Sequence, residues 1–259
     1  MLKGRPFKVA GVDGCKGGWV VVIASATNQS IETNVHCILK LKSFFTARTF
    51  SEVLSKTTDC ELVCVDIPIG LGDGKKPREC DVAARRILQR PRASSVFPAP
   101  IRPCLSAKDY KTASKICFEH SGKKLSRQSF ALLDKIRQVD DLMTSVLQRR
   151  VREIHPEISF WSLNNQETIQ QNKKTVPGQA QRRKLLQQIF ADMDGILSQL
   201  PPDGFVMDDA FDALIAAWTA GQTVMRKAET LPENHELDNK GLRMGILCPT
   251  SLDNGGLYG

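Results

Sequence analysis

The chain has 259 residues, 41% of them hydrophobic and 25% charged, which is the composition of an ordinary globular protein with one main core. No apolar run approaches the about 18 residues needed to cross a bilayer, so no membrane span is expected. The net charge of +8 is unevenly placed: Lys75 to Arg152 holds 19 basic and 7 acidic residues, which leaves the remainder of the chain at −4. That asymmetry points to a basic insertion facing a polyanion beside an acidic core, with a solvated Lys/Arg-rich helical face as the plainer alternative.

Lys8 to Asp13 and Trp19 to Ala26 are β-rich apolar runs joined by Gly14-Cys15-Lys16-Gly17-Gly18, whose glycines suit a tight connection, so a hairpin opens the fold. Asp13 and Lys16 interrupt the stretch where a signal peptide needs its apolar core, and the protein is expected to stay in the cytoplasm. A third, alternating run, with Thr33, Val35, Cys37 and Leu39 on one side, leads to a predicted helix over Phe45 to Lys56. Glu61 to Ile67 reads as a buried strand. Pro68 to Gly74 breaks the pattern, and a helix follows over Glu79 to Gln89. Ser94 to Pro103 is a Pro-rich loop, read either as shaped for the site or as a surface linker. Lys108 to Glu119 is predicted helical. Residues 126–148 read as one long amphipathic helix, with Leu132, Ile136, Val139, Met143 and Val146 at helical spacing. Val151 to His155 reads as a short strand, Ala180 to Leu200 and Asp208 to Arg226 as helices, and Leu242 to Cys248 as a last strand. Glu229 to Lys240 is the segment expected to be loosest.

Three strands in meander, a helix, a strand, a helical block, a strand and then helices is the order of an α/β, RNase H-like fold: a mixed sheet, antiparallel in its meander and parallel beyond it, flanked by helices. A single domain over 1–259 with a basic helical insertion at 75–150 is expected. The eight cysteines form no CxxC pair and no Cys/His cluster of zinc-site spacing, so reduced thiols are expected, with Cys37, Cys60 and Cys64 acting as small apolar residues in or beside strands.

Asp13 follows an apolar strand and precedes a Gly-rich turn, so its carboxylate should emerge at the strand's C-terminal edge, where α/β sheets expose ligand sites. A turn-forming Asp and a phosphate-cradling loop remain open at that position. Asp66 closes an apolar run, where a carboxylate is costly to bury without a partner. Asp209 and Asp212 stand three apart on one helix face. Asp208 or Asp209 can serve as a helix cap, but Asp212, among Ala and large apolar residues, wants a cation. Glu153 and His155 fall on one face of their strand by alternation, and Glu157 follows Pro156 in a first helical turn.

VDGCKGGW, VDIPIGL, RECDVAAR, SVFP-P, EIHPE and DDAFDALIAAWTA, in this order, resemble the family catalogued as domain of unknown function 429, predicted RNase H-like nucleases. The spacing of Asp209 and Asp212 also resembles the last acidic motif of RuvC-type Holliday junction resolvases, with Asp13 at the first-strand acid and Asp66 at the fourth-strand acid, where resolvases usually carry Glu. The resemblance implies a metal-dependent nuclease. In that reading Asp13, Asp66, Asp209 and Asp212 hold two Mg²⁺ or Mn²⁺ ions, Glu153 or Glu157 completes the shell, and His155 moves a proton or orients water. Lys16, Lys75, Lys76, Arg78, Arg85 and Arg86 are the expected contacts to substrate, with DNA or RNA phosphates as the partner. Two rivals stand beside it: a non-catalytic module binding nucleic acid or a nucleotide, and a phosphotransferase of the actin and sugar-kinase kind, which shares the core but needs it duplicated. Oligomeric state is left open.

Overall fold

β1 (Lys8–Cys15) and β2 (Gly18–Ala26) pair antiparallel from Lys8–Ser25 to Cys15–Gly18, around a two-residue turn at Lys16-Gly17. The computed structural model describes residues 6–26, 39–190, 192–198 and 205–250. Thr33, Val35 and Cys37 of the expected third run lie outside the described residues; β3 (Leu39–Ala47) pairs antiparallel with β2. It reaches past the predicted start of the next helix because Phe44 and Phe45 pair with Val22 and Val21, an aromatic and β-branched match that favours strand. The helix α1 (Phe50–Lys56) starts where Thr49 accepts the Glu52 N–H on its hydroxyl at 3.2 Å.

β4 (Leu62–Val65) lies parallel to β1, and β5 (Val151–Glu153) parallel to β4. The sheet order is β3-β2-β1-β4-β5, antiparallel on one side of β1 and parallel on the other, the RNase H-like layout read from the element order. Between β4 and β5 the chain inserts α2 (Glu79–Arg92), α3 (Tyr110–Ser121), α4 (Arg127–Ala131) and α5 (Leu133–Leu142). After β5 come α6 (Pro156–Leu163), α7 (Val176–Gln187), α8 (Met193–Leu197) and α9 (Met207–Val224). A second, two-stranded antiparallel sheet joins β6 (Ala228–Leu231) to β7 (Ile246–Pro249).

Alternation along β1 sorts two cores. Val9 and Cys15 pack with α9, whereas Ala10 and Val12 pack with α1 and the inserted helices. α9 is buried from Ala210 to Gln222. It approaches β1 so closely that a Cβ on Gly11 would stand 2.0 Å from the Ala213 carbonyl oxygen and 2.1 Å from the Ala217 nitrogen. That contact sets the N-terminal end of α9 beside the C-terminal end of β1.

Three expectations need correction. Residues 126–148 are not one helix: the chain divides at Leu132 and leaves α5 at Met143, whose extended backbone keeps its side chain in the core. The helix expected over Ala180 to Leu200 starts earlier, because Thr175 accepts the Gly178 N–H, and it stops at Gln187, with α8 a separate turn. The segment expected to be loose holds most of β6 and an anchored turn. There Asp238 accepts from the backbone N–H groups of Leu71, Lys240 and Leu242 and from the Arg102 guanidinium, so a polar stretch is fixed by one satisfied acid. The seven described cysteines are free and buried, and no helix among the described residues is long and apolar enough to cross a membrane.

Candidate functional site

The parallel register that pairs Val12 with Val65 puts the next residues of the two strands, Asp13 and Asp66, side by side at the sheet's C-terminal edge. The Asp66 N–H donates to the Val12 carbonyl at 3.0 Å. By alternation with Val9 and Cys64, both carboxylates take the α9 face, and the close approach at Gly11 delivers Asp212 to the same edge. Asp13 is 8% exposed and Asp212 2%. These three, with Asp209 and Lys173, line a cavity of about 290 Å³ that Glu153, His155 and Glu157 also reach.

Burial dominates the electrostatics. It pushes Asp13 well above the usual carboxylate range, with the charges of Asp66 and Asp212 adding to it. Asp66 is pushed up to about 8, by burial first and Asp212 second. Asp212 is raised by burial although Lys173 opposes it. The Lys173 ammonium donates to Asp212 Oδ2 at 2.6 Å, and that neighbouring carboxylate holds it above its ordinary value. Asp13 Oδ1 also accepts the Gly14 N–H at 2.7 Å, so the turn-forming role is real and uses one of its oxygens. Asp209 Oδ2 accepts the Val206 N–H at 3.1 Å as a cap of α9, and Asp208 takes the Gln179 amide at 3.0 Å.

The model of the family described as Protein of unknown function (DUF429) matches residues 11–237, a span that includes every one of these side chains. The chain belongs to that family. No curated protein and no solved structure matches the chain.

In this DUF429 chain the remaining acids are already matched by cations. Glu153 lies on the opposite face from Asp13 and Asp66, in register with Val65, and accepts from Arg78 Nη2 at 2.5 Å and the Ile69 N–H at 2.7 Å. Burial still pushes it up to about 7. Glu157, in the first turn of α6, accepts from the buried Arg182 at 2.5 Å. β5 ends at Glu153, Ile154 adds one bridge to Leu247 and donates its N–H to the Val65 carbonyl, and His155 is the extended residue that precedes Pro156 and α6. Its Nε2 faces the Ser95 carbonyl at 3.4 Å, its Nδ1 is buried without a hydrogen-bond partner, and burial lowers its affinity for a proton.

Cys80, Asp81 and Glu153 bring ligating atoms within 4.8 Å of one another, and no other group of three among the described residues is so close. The Arg78 guanidinium, 2.5 Å from Glu153 and 3.7 Å from Asp81, stands there in the place of a cation. Arg78 is therefore buried and engaged, which corrects its expected role as a phosphate contact. Arg85 donates to the Val96 carbonyl, Lys75 pairs with Asp73 and Lys76 with Glu236, while Lys16 and Arg86 are exposed. None of these six lines the cavity. Its cation is Lys173, from the loop between α6 and α7, which the sequence does not single out. The one signal that bears on it is the demand of Asp212 for a counter-charge.

Proposed function

We propose that the chain is a metal-dependent hydrolase of phosphodiester bonds, with Asp13, Asp66 and Asp212 receiving Mg²⁺ or Mn²⁺. One observation carries this reading: strand register and the Gly11 contact bring three carboxylates, the buried Asp13 and Asp212 and the half-buried Asp66, to one edge of one cavity, where the Lys173 ammonium offsets them. Carboxylate oxygens are hard donors of the kind these ions take, and a buried set held above the usual carboxylate range favours capture of a divalent charge. The imidazole Nδ1 of His155 adds a buried polar atom with an unused lone pair or proton. When bound, such an ion supplies a more acidic water and stabilises charge building on phosphoryl oxygens. His155, kept neutral by burial, is the group placed to take a proton from the attacking water. Asp209, partly engaged as a cap, adds negative charge at the rim of the set. Asp212 binds an ion fully only if Lys173 yields its place, so a two-ion site requires that ammonium to move.

A second reading, a non-catalytic binding module, is favoured by the same ion pair. With Lys173 on Asp212, Arg78 on Glu153 and Arg182 on Glu157, much of the acidic set forms a structural charge network. The phosphotransferase reading calls for a duplicated core, and the described residues hold one five-stranded sheet beside a two-stranded one. The deciding experiment is cleavage of labelled single- and double-stranded DNA, RNA and hybrids with Mn²⁺ or Mg²⁺, comparing wild type with Asp13→Asn and Asp212→Asn. Metal-dependent cutting lost in both folded variants supports the hydrolase. Cutting indifferent to both, or none at all, moves the assignment to the binding module.

A further inference from the structure

Part of the cavity wall is the Ser95–Pro100 loop, and it is clamped. Arg85 donates to the Val96 carbonyl through Nε at 2.9 Å and Nη2 at 2.6 Å. Ser129 Oγ donates to the Pro98 carbonyl at 2.8 Å, and the Ala99 N–H donates to Asp81 Oδ2 at 3.3 Å. The loop was open to two readings from sequence, and its place in the cavity wall favours the shaped one over a linker. The surface it contributes is apolar, with Val96, Phe97 and Pro98 joined by Leu132 and Ile136. Phe97 keeps 38% of its surface exposed, an aromatic ring with area left for a planar partner.

The cavity thus combines an apolar, partly aromatic wall with a wall of carboxylates and one ammonium. Its volume, about 290 Å³, lies just below the usual range of ligand sites, about 300 to 1,000 Å³, and limits the occupant to something no larger than one nucleotide unit. Asp13 and Asp212 are deeply buried, so a phosphoryl group has to enter the cavity to reach them. We propose that the cavity receives one nucleotide unit, free or at the end of a single strand, with its base against Phe97 and its phosphoryl group toward Asp13, Asp66 and Asp212. The proposal rests on the reading of these acids as a phosphoryl site.

The test is equilibrium dialysis of nucleoside 5′-monophosphates, which contain no diester to be consumed, against the full chain with Mn²⁺. One monophosphate per chain is expected, with binding about tenfold weaker in Phe97→Ala, the size of a lost base–aromatic stack, and restored in Phe97→Trp. Displacement by a linear single strand assigns the unit to a strand end; no displacement assigns it to a free nucleotide. Absence of monophosphate binding, binding indifferent to Phe97→Ala, or displacement by closed-circular duplex as effective as by a linear strand overturns the proposal. The two readings fail separately. Mn²⁺-dependent cutting of closed-circular duplex that needs Asp13 keeps the hydrolase and sinks the single-unit site, whereas monophosphate binding by a chain that cuts nothing does the reverse.

Discussion

Lys173 decides how the acidic set behaves without a metal. Its ammonium sits on Asp212, one of the most deeply buried acids of the chain, and a divalent ion has to compete with it for that carboxylate. Two charges a few ångströms apart near a protein surface interact by up to about 4 kcal/mol, enough to shift ion affinity by orders of magnitude. Lys173→Met keeps the length of the side chain and removes the charge. We expect the variant to bind Mn²⁺ at least about tenfold more tightly in calorimetric titration, and to melt at a lower temperature in chelator, where Asp212 has lost its partner. The loss should be about 1–3 kcal/mol, below the cost for a fully buried pair because the Lys173 side chain is 38% exposed. Equal or weaker Mn²⁺ binding in the variant would place Lys173 outside the cation's position. The sequence pointed to Asp212 as an acid in want of a cation. It could not name the partner, because Lys173 is one of two adjacent lysines in a polar loop, 39 residues away in the chain.

At the scale of elements, the site depends on one helix-to-strand approach. Gly11 is where α9 crosses β1, and the backbone atoms of Ala213 and Ala217 occupy the space a side chain would need. Gly11→Ala forces the helix away from the sheet, and overpacking of this kind costs about 1–3 kcal/mol, with more expected here because the obstacle is backbone. The expected result is a lower melting temperature together with weaker Mn²⁺ binding, since Asp212 rides on the displaced helix; a variant that melts and binds as wild type would show that the approach does not position the site. β1, β2 and β4 were legible because their apolar runs are buried on both faces, and Asp66 was legible because it follows one. The acids on α9 were legible from helical spacing. Which face Glu153 takes relative to Asp13 and Asp66 was not legible, because it depends on the register between β4 and β5. The helix over 126–148 was overextended because its apolar spacing continues to Val146 although the backbone turns at Met143. Side-chain periodicity records which residues face a core, and it is silent on where the chain changes direction to reach it.

At the scale of the molecule, part of the insertion's basic excess is turned inward, while most of its lysines, together with Arg86, Arg90, Arg127 and Arg149, stay exposed. Arg85, Arg92, Arg137 and Arg150 donate to the backbone carbonyls of Val96, Ile169, Leu105 and Thr57, so the guanidiniums satisfy loops that would otherwise lack donors. A charge count cannot separate this use from a polyanion surface. The same logic joins the insertion to the C-terminal segment: Arg102 bridges Asp140 of α5 and Asp238, and Asp238 in turn holds the Leu71 N–H in the loop that follows Asp66. Burial works against the Asp238 carboxylate, but the hydrogen bonds from Arg102, Leu242, Leu71 and Lys240 prevail and hold it below its ordinary value. An acid lowered in the folded state binds fewer protons there than in the unfolded chain around and below pH 4, so its contribution is present at neutral pH and is lost as pH falls through the folded value. Asp238→Asn should therefore lower stability at pH 7 by about 1–3 kcal/mol, the cost of a charged hydrogen bond, and should flatten the acid limb of the melting curve below pH 4. Thermal melts of both proteins from pH 3 to 8 test this. Parallel acid limbs would mean that other carboxylates set the acid sensitivity, and that the turn is held by its backbone hydrogen bonds without the help of the charge.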